Sequence, residues 1–167
     1  MKDLETYVYN MNSPVGELSL VANEKYLTGL CFVKNKSDVP DGKRKKTDVI
    51  AKTEKQLEKY FKGELEEFDL PISIQGTPFQ LSVWNELRKI KMGTLRSYSS
   101  HAERLKKPKA VRAVGSAIGK NPIGIIIPCH RVIAKSGGMG GFSGGLDVKH
   151  WLLEHEQKIA LMSKKKK

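Results

Sequence analysis

Three short runs of strand character crowd into the first 33 residues of this 167-residue chain, and helical spacing takes over afterwards. The runs are Glu5 to Asn10 (ETYVYN), Glu17 to Asn23 (ELSLVAN) and Tyr26 to Val33 (YLTGLCFV). Asn12-Ser13-Pro14 and Asn23-Glu24-Lys25 separate them as turns. Strands this short and this closely spaced leave no room for crossover helices, so they suit an antiparallel meander. The sequence therefore predicts an α+β protein: a small antiparallel-sheet N-terminal lobe followed by a mostly helical one.

The polar stretch from Val33 to Lys46, with Pro40, Gly42 and the run Lys43-Arg44-Lys45-Lys46, reads as a loop. Thr47 or Asp48 can cap a helix that runs to Lys62, with Ile50, Leu57, Tyr60 and Phe61 at helical spacing and Gly63 as its stop. Phe68 to Ile74 (FDLPISI) reads as an extended link, because Pro71 argues against a central strand. The first domain is thus 1–74. The second, 75–162, opens at Thr77-Pro78, a capping hydroxyl before a proline suited to the first helical turn. Phe79, Val83, Leu87 and Ile90 form a buried stripe up to Gly93. Ser97 can cap a short helix from Tyr98 to about Lys106, Pro108 breaks it, and Lys109 to Gly119 (KAVRAVGSAIG) forms the next. Two short helices and a tight turn make a helix-turn-helix. The second helix carries Arg112 among small residues that admit either another surface or a packed neighbour. Ile123 to Ile127 reads as a buried strand, Lys135 to Gly145 as a glycine-rich hairpin tip or wing, and Asp147 to Ala160 as a final helix facing inward with Val148, Leu152 and Ile159. Residues 163–167, ending in lysines, are expected to be disordered.

Charge divides the chain at the same point. Residues 1–74 hold 12 Lys/Arg against 13 Asp/Glu, whereas residues 75–167 hold 18 against 5. A basic second half makes nucleic acid the first partner to consider, with a solvated basic surface as the alternative. No apolar run approaches the ~20 residues of a membrane span, and the acidic N-terminus MKDLETYVYN lacks a secretory core. We expect an intracellular protein, nuclear if eukaryotic and cytoplasmic if prokaryotic, without a membrane partner. Cys31 and Cys129 are too few for a cysteine-rich zinc site or a disulfide framework. All four histidines lie beyond residue 100, so no metal site is expected in the first domain.

The chemistry concentrates in Ile125-Ile126-Ile127-Pro128-Cys129-His130-Arg131-Val132. Cys129 follows an apolar run and a proline, His130 can serve as base, and Arg131 adds positive charge that favours thiolate or makes a structural ion pair. Glu154 or Glu156 on the last helix can orient the imidazole, completing a Cys-His-acid arrangement. Neighbouring side chains on extended backbone point apart, so a bridging water between Cys129 and His130 is as good as direct contact.

Around this motif stand Phe79-Gln80, Val83-Trp84, Ser97-Tyr98, Arg112 to Gly115, Asn121-Pro122, Gly141 to Leu146, Lys149, Trp151 to Leu153 and His155-Glu156. In that order they resemble the methylated-DNA–protein-cysteine methyltransferases, the O(6)-alkylguanine-DNA alkyltransferases. The resemblance is strong over residues 77 to 156 and loose over the first lobe, where the family has a ribonuclease-H-like domain. It implies a winged helix-turn-helix in the second lobe and DNA repair by irreversible transfer of the alkyl group from O(6)-alkylguanine, and O(4)-alkylthymine, to an internal cysteine. By this resemblance Cys129 is the nucleophile, His130 a water-mediated base, Glu156 its polarising acid and Asn121 a brace for the turn. Tyr98 helps turn out the damaged nucleotide, and Arg112 fills the gap left in the duplex. Val132, Phe142 and Ser143 line the flipped guanine, with main-chain contacts from Val132 and Ser143. The partner is double-stranded DNA, entered through the minor groove by a monomer; no cofactor is needed. An O6 substituent inside a duplex is out of reach of a thiol, so the base must leave the stack.

Phe142 stands where the family usually has Tyr, Lys91 where it has Pro, and Gly124 where some members have Pro, which suggests a roomier pocket for bulky adducts. Two other classes compete. A damage-recognition module without transfer is disfavoured by the presence of Cys129. A cysteine-sensing helix-turn-helix regulator would need a further regulatory domain.

Overall fold

A computed structural model describes residues 5–134, 142 and 144–165, the last two without their side chains. The chain divides into two compact units, Met1–Ile74 with Pro122–Gly124, and Gln75–Asn121 with Ile125–Lys167.

The first unit is a four-stranded sheet with one long helix. Strands β1 (Tyr7–Ser13), β2 (Gly16–Ala22) and β3 (Leu27–Val33) form the antiparallel meander, in register from Tyr7 opposite Ala22 to Ser13 opposite Gly16. A two-residue strand, β4 (Lys43–Arg44), adds parallel to β1 and gives the order β3-β2-β1-β4. The basic run expected as loop therefore begins as a sheet edge. Lys43 N–H donates to Thr6 O at 2.9 Å, and the charged side chains point to solvent, a common protection for an exposed edge. Helix α1 (Asp48–Phe61) is capped by Thr47, whose hydroxyl accepts from Ile50 N–H. It buries Ile50, Leu57 and Tyr60 with Val8, Leu18, Leu20 and Leu27. Residues 68–74 meet β3 through a single bridge, Ile72 opposite Leu27.

Pro122–Gly124 joins this first unit. Leu30 N–H donates to Pro122 O at 3.0 Å and Gly124 N–H to Leu30 O at 3.1 Å, with Ile123 bridged to Leu30. The strand expected over Ile123–Ile127 does not extend further, because Ile125 takes φ +69° and turns the chain. All the same Ile123, Ile125 and Ile127 are buried. A short apolar run looks alike whether it is a strand or a packed turn.

The second unit is helical. Thr77 and Gln80 form a reciprocal capping box on α2 (Pro78–Leu87). This helix ends earlier than expected, and a turn carries Ile90 into the core before Gly93. Strand β5 (Arg96–Ser97) leads into α3 (Tyr98–Arg104), capped by Ser97, and α4 (Val111–Gly119) completes the helix-turn-helix. Trp84 Nε1 donates to Ala117 O at 2.8 Å and ties α2 to α4. Strand β6 (Val132–Ile133) pairs parallel with β5. Helix α5 (Leu146–Lys165) runs past Ala160, so residues 163–165 are helical where disorder was expected; consecutive Lys residues are good helix formers. Most of the glycine-rich wing segment, 135–141 and 143, lies outside the described residues. Among the described residues no helix is long and apolar enough to cross a membrane.

Candidate active site

The local backbone decides where the three reactive side chains point. Asn121 Nδ2 donates to Ile127 O at 2.8 Å, holding the turn that Ile125 begins. Cys129 N–H donates to the same carbonyl at 2.8 Å. Cys129–Arg131 then forms a single 3₁₀ turn, not extended backbone. With about three residues per turn, successive side chains fan out roughly 120° apart. One turn thus sends a thiol, an imidazole and a guanidinium in three directions, and β6 fixes its exit.

His130 is fully buried and meets Glu156 on α5, Nε2 to Oε2 at 2.7 Å. Glu156 also receives Arg131, Nε to Oε1 at 2.7 Å and Nη2 to Oε2 at 3.2 Å. Arg131 Nη1 donates to Ile90 O at 2.6 Å. Burial alone would raise the Glu156 carboxyl, but His130 and Arg131 override it and hold Glu156 well below the usual carboxylate range. Glu156 is therefore an anion, and an anion can only accept, so His130 Nε2 carries the proton. Nδ1 is left as the basic nitrogen, and among the described residues it has no hydrogen-bond partner. Burial pushes His130 below its ordinary value; Glu156 pulls against this, while Arg131 and Lys149 add to it. Burial likewise pushes the Cys129 thiol up, opposed by the Asn121 side chain, the Lys149 charge and the backbone at Cys129 and His130. At rest the pair is thiol and neutral imidazole.

Of the two acids considered, Glu154 is exposed and pairs with His150 at 3.1 Å, away from His130. Val132 is buried, and its carbonyl accepts from Lys149 Nζ at 2.7 Å. Lys149 itself is fully buried, with Nζ 6.0 Å from the centroid of the Tyr98 ring. Sequence reasoning assigned it no role. The available signal was spacing: Lys149, Leu152 and Glu156 share one face of α5. Burial and the Cys129 charge both raise the Tyr98 hydroxyl, burial more. Arg112 is exposed on α4 together with Ala113 and Ser116. Phe142 is half-buried; Ser143 lies outside the described residues. Gly124 is a close approach in the first unit, where a Cβ would come within 3.1 Å of the Phe32 ring.

A second buried network went unforeseen. His101 Nε2 donates to Val83 O at 3.1 Å, and Arg96 Nη1 donates to His101 Nδ1 at 3.1 Å. Arg96 also lies 3.5 Å from Glu86. These contacts anchor the start of α3, and with it Tyr98, against α2.

A buried cysteine next in sequence to an oriented imidazole, in a lobe whose helix-turn-helix presents an arginine to solvent, is the arrangement of a cysteine-centred site in a helix-turn-helix lobe. Residues 78–158 match the family described as 6-O-methylguanine DNA methyltransferase, DNA binding domain, and residues 6–74 match its ribonuclease-like domain. The methylated-DNA–protein-cysteine methyltransferase of Methanosarcina acetivorans is 43% identical over 152 residues, covering 90% of this chain and 97% of that one. That of Haemophilus influenzae is 44% identical over 149 residues, 87% of this chain and 83% of its own. The crystal structure of Mycobacterium tuberculosis OGT in complex with DNA superposes with a TM-score of 0.83 at 40% identity, over 92% of this chain and 94% of that one. The chain belongs to the methylated-DNA–protein-cysteine methyltransferase family.

Proposed function

We propose that this protein repairs DNA by moving the alkyl group of O(6)-alkylguanine onto Cys129. The observation that carries the reading is the 2.7 Å contact between His130 Nε2 and the Glu156 carboxylate, which fixes the tautomer of His130. Nε2–H donates to the Glu156 carboxylate, so Nδ1 is free to accept a proton from the thiol, through a bridging water. Sulfur attacks the alkyl carbon; the S–C bond forms as the C–O6 bond breaks, and the electron pair stays on guanine. The thiol proton ends on His130, and guanine takes one from solvent. Glu156 stabilises the imidazolium that forms, and Lys149 the sulfur charge that develops. The product is a thioether, which water does not readily cleave, so each molecule acts once. Burial keeps Cys129 a thiol until substrate arrives, which protects a single-use nucleophile from oxidation.

The same reading has a monomer entering the minor groove with α4, whose outward Arg112, Ala113 and Ser116 allow close approach. Arg112 holds the space of the extruded base and Tyr98 contacts it. The basic charge of the second half supplies affinity at any sequence. The test is transfer from a duplex with one labelled O(6)-methylguanine and 2-aminopurine beside it. The expected result is one methyl per protein without turnover, with a fluorescence rise as the base leaves the stack and steep weakening by salt. Repeated turnover, or transfer without unstacking, would contradict it.

A further inference from the structure

We infer that Arg131 is a positioning residue for the transfer reaction: its guanidinium holds the Glu156 carboxylate ionised and aimed at His130 Nε2. This rests on the function proposed above and goes beyond it, since Arg131 neither faces the substrate in that scheme nor exchanges a proton. The geometry is specific. Arg131 grips both carboxylate oxygens, at 2.7 and 3.2 Å, and its third contact is a main-chain carbonyl, Ile90 O at 2.6 Å. The carboxylate is thereby fixed in plane and in rotation. Oε2, the oxygen shared with His130, cannot swing away without breaking the fork.

Charge matters as well as aim. The charged groups acting on His130 are Glu156 and Lys149 from α5, with Arg131 from its own turn. Glu156 favours a proton on His130; Arg131 and Lys149 oppose it. Without Arg131 the buried carboxylate and imidazole would face each other with one cation fewer. The pair would then hold a proton to higher pH, and Nδ1 would stay occupied further up the pH scale. Arg131 thus keeps a buried acid ionised without letting it load the base.

The test measures single-turnover methyl transfer against pH for wild type, Arg131→Gln and Arg131→Lys, with duplex binding as the control. Arg131→Gln is expected to raise the midpoint of the pH–rate profile by about one unit or more while leaving duplex affinity within about twofold. Arg131→Lys keeps the charge but not the fork, so its midpoint should stay in place while the plateau rate falls roughly tenfold. A folded Arg131→Gln protein slowed equally at every pH, with no shift of midpoint, overturns the inference. So does a folded Arg131→Lys protein with the wild-type plateau, and that result stands even if the glutamine variant does not fold. Absence of transfer in the wild type would instead defeat the underlying function.

Discussion

Replacing Glu156 with glutamine tests the site's electrostatics most severely, because shape is kept and charge is lost. Glu156 is 1% exposed and accepts from both His130 and Arg131. Glutamine offers one acceptor oxygen in place of two and turns an amide N–H₂ toward a remaining donor. Arg131, 7% exposed, would keep its charge with only the Ile90 carbonyl facing it. Breaking a buried ion pair from one side costs about 3–5 kcal/mol, against a total stability of roughly 5–15 kcal/mol for a domain. The same change removes the negative charge that stabilises the imidazolium formed on His130 during transfer. Positioned general bases contribute about 10²–10⁴ in rate, so transfer should slow by about a hundredfold or more. Urea unfolding gives the first quantity and single-turnover transfer at neutral pH the second. A Glu156→Gln protein within about 1 kcal/mol of wild type and within threefold of its rate would refute the reasoning.

Acid should unfold the protein in two stages. Burial holds His101 and His130 below their ordinary value, so both are neutral in the fold and their stabilisation, present above about pH 6.5, is lost as pH falls below it. Glu156 is also lowered, so its share is present above about pH 4.3 and fades further down; thermal melts across pH should show both declines, and a flat curve from pH 7 to 5 would contradict the histidine part. Gly93→Ala meets two obstacles, a φ of +83° and the Ala160 methyl 2.5 Å from the new Cβ. Adding about 1–2 kcal/mol for the left-handed backbone to about 1–3 for overpacking gives a loss measurable in urea, of which Ala160→Gly should recover only the packing share. Arg112→Ala should leave the melting temperature unchanged, since Arg112 is exposed, yet cut transfer at least tenfold while duplex binding persists on the remaining phosphate contacts.

The meander, the capped helices and the helix-turn-helix were legible because each depends on neighbours in sequence. Thr47, Thr77 and Ser97 cap as their hydroxyls suggested. Pairings that need distant partners were hidden. β4 joins the sheet only because β1 offers its free edge to Lys43 and Arg44, and nothing in a polar lysine run announces that. Ile125 turns the chain where its neighbours suggested a strand, because burial rewards an isoleucine equally in either setting. At the site, Cys129, His130 and Glu156 could be named from the motif and its resemblance, but Glu154 and Glu156 could be told apart from residue types alone only by the fold. Lys149 and Arg131 are harder still. A charged side chain is expected outside, and the partners that make burial tolerable, the Val132 carbonyl for Lys149 and the Glu156 carboxylate with the Ile90 carbonyl for Arg131, are brought together by the fold.

The alkyl group should end on one buried sulfur and nowhere else. Two cysteines are present, Cys129 buried and Cys31 half-exposed in the first unit, so the protein carries its own control. Intact protein would be incubated with O(6)-methylguanine duplex, digested, and mapped by peptide mass. The expected result is a single methyl on the peptide bearing Cys129, an unmodified Cys31, and a Cys129→Ala protein that binds the duplex without acquiring a methyl. Methyl on Cys31, or an unmodified Cys129 from folded protein that binds the duplex, would contradict it.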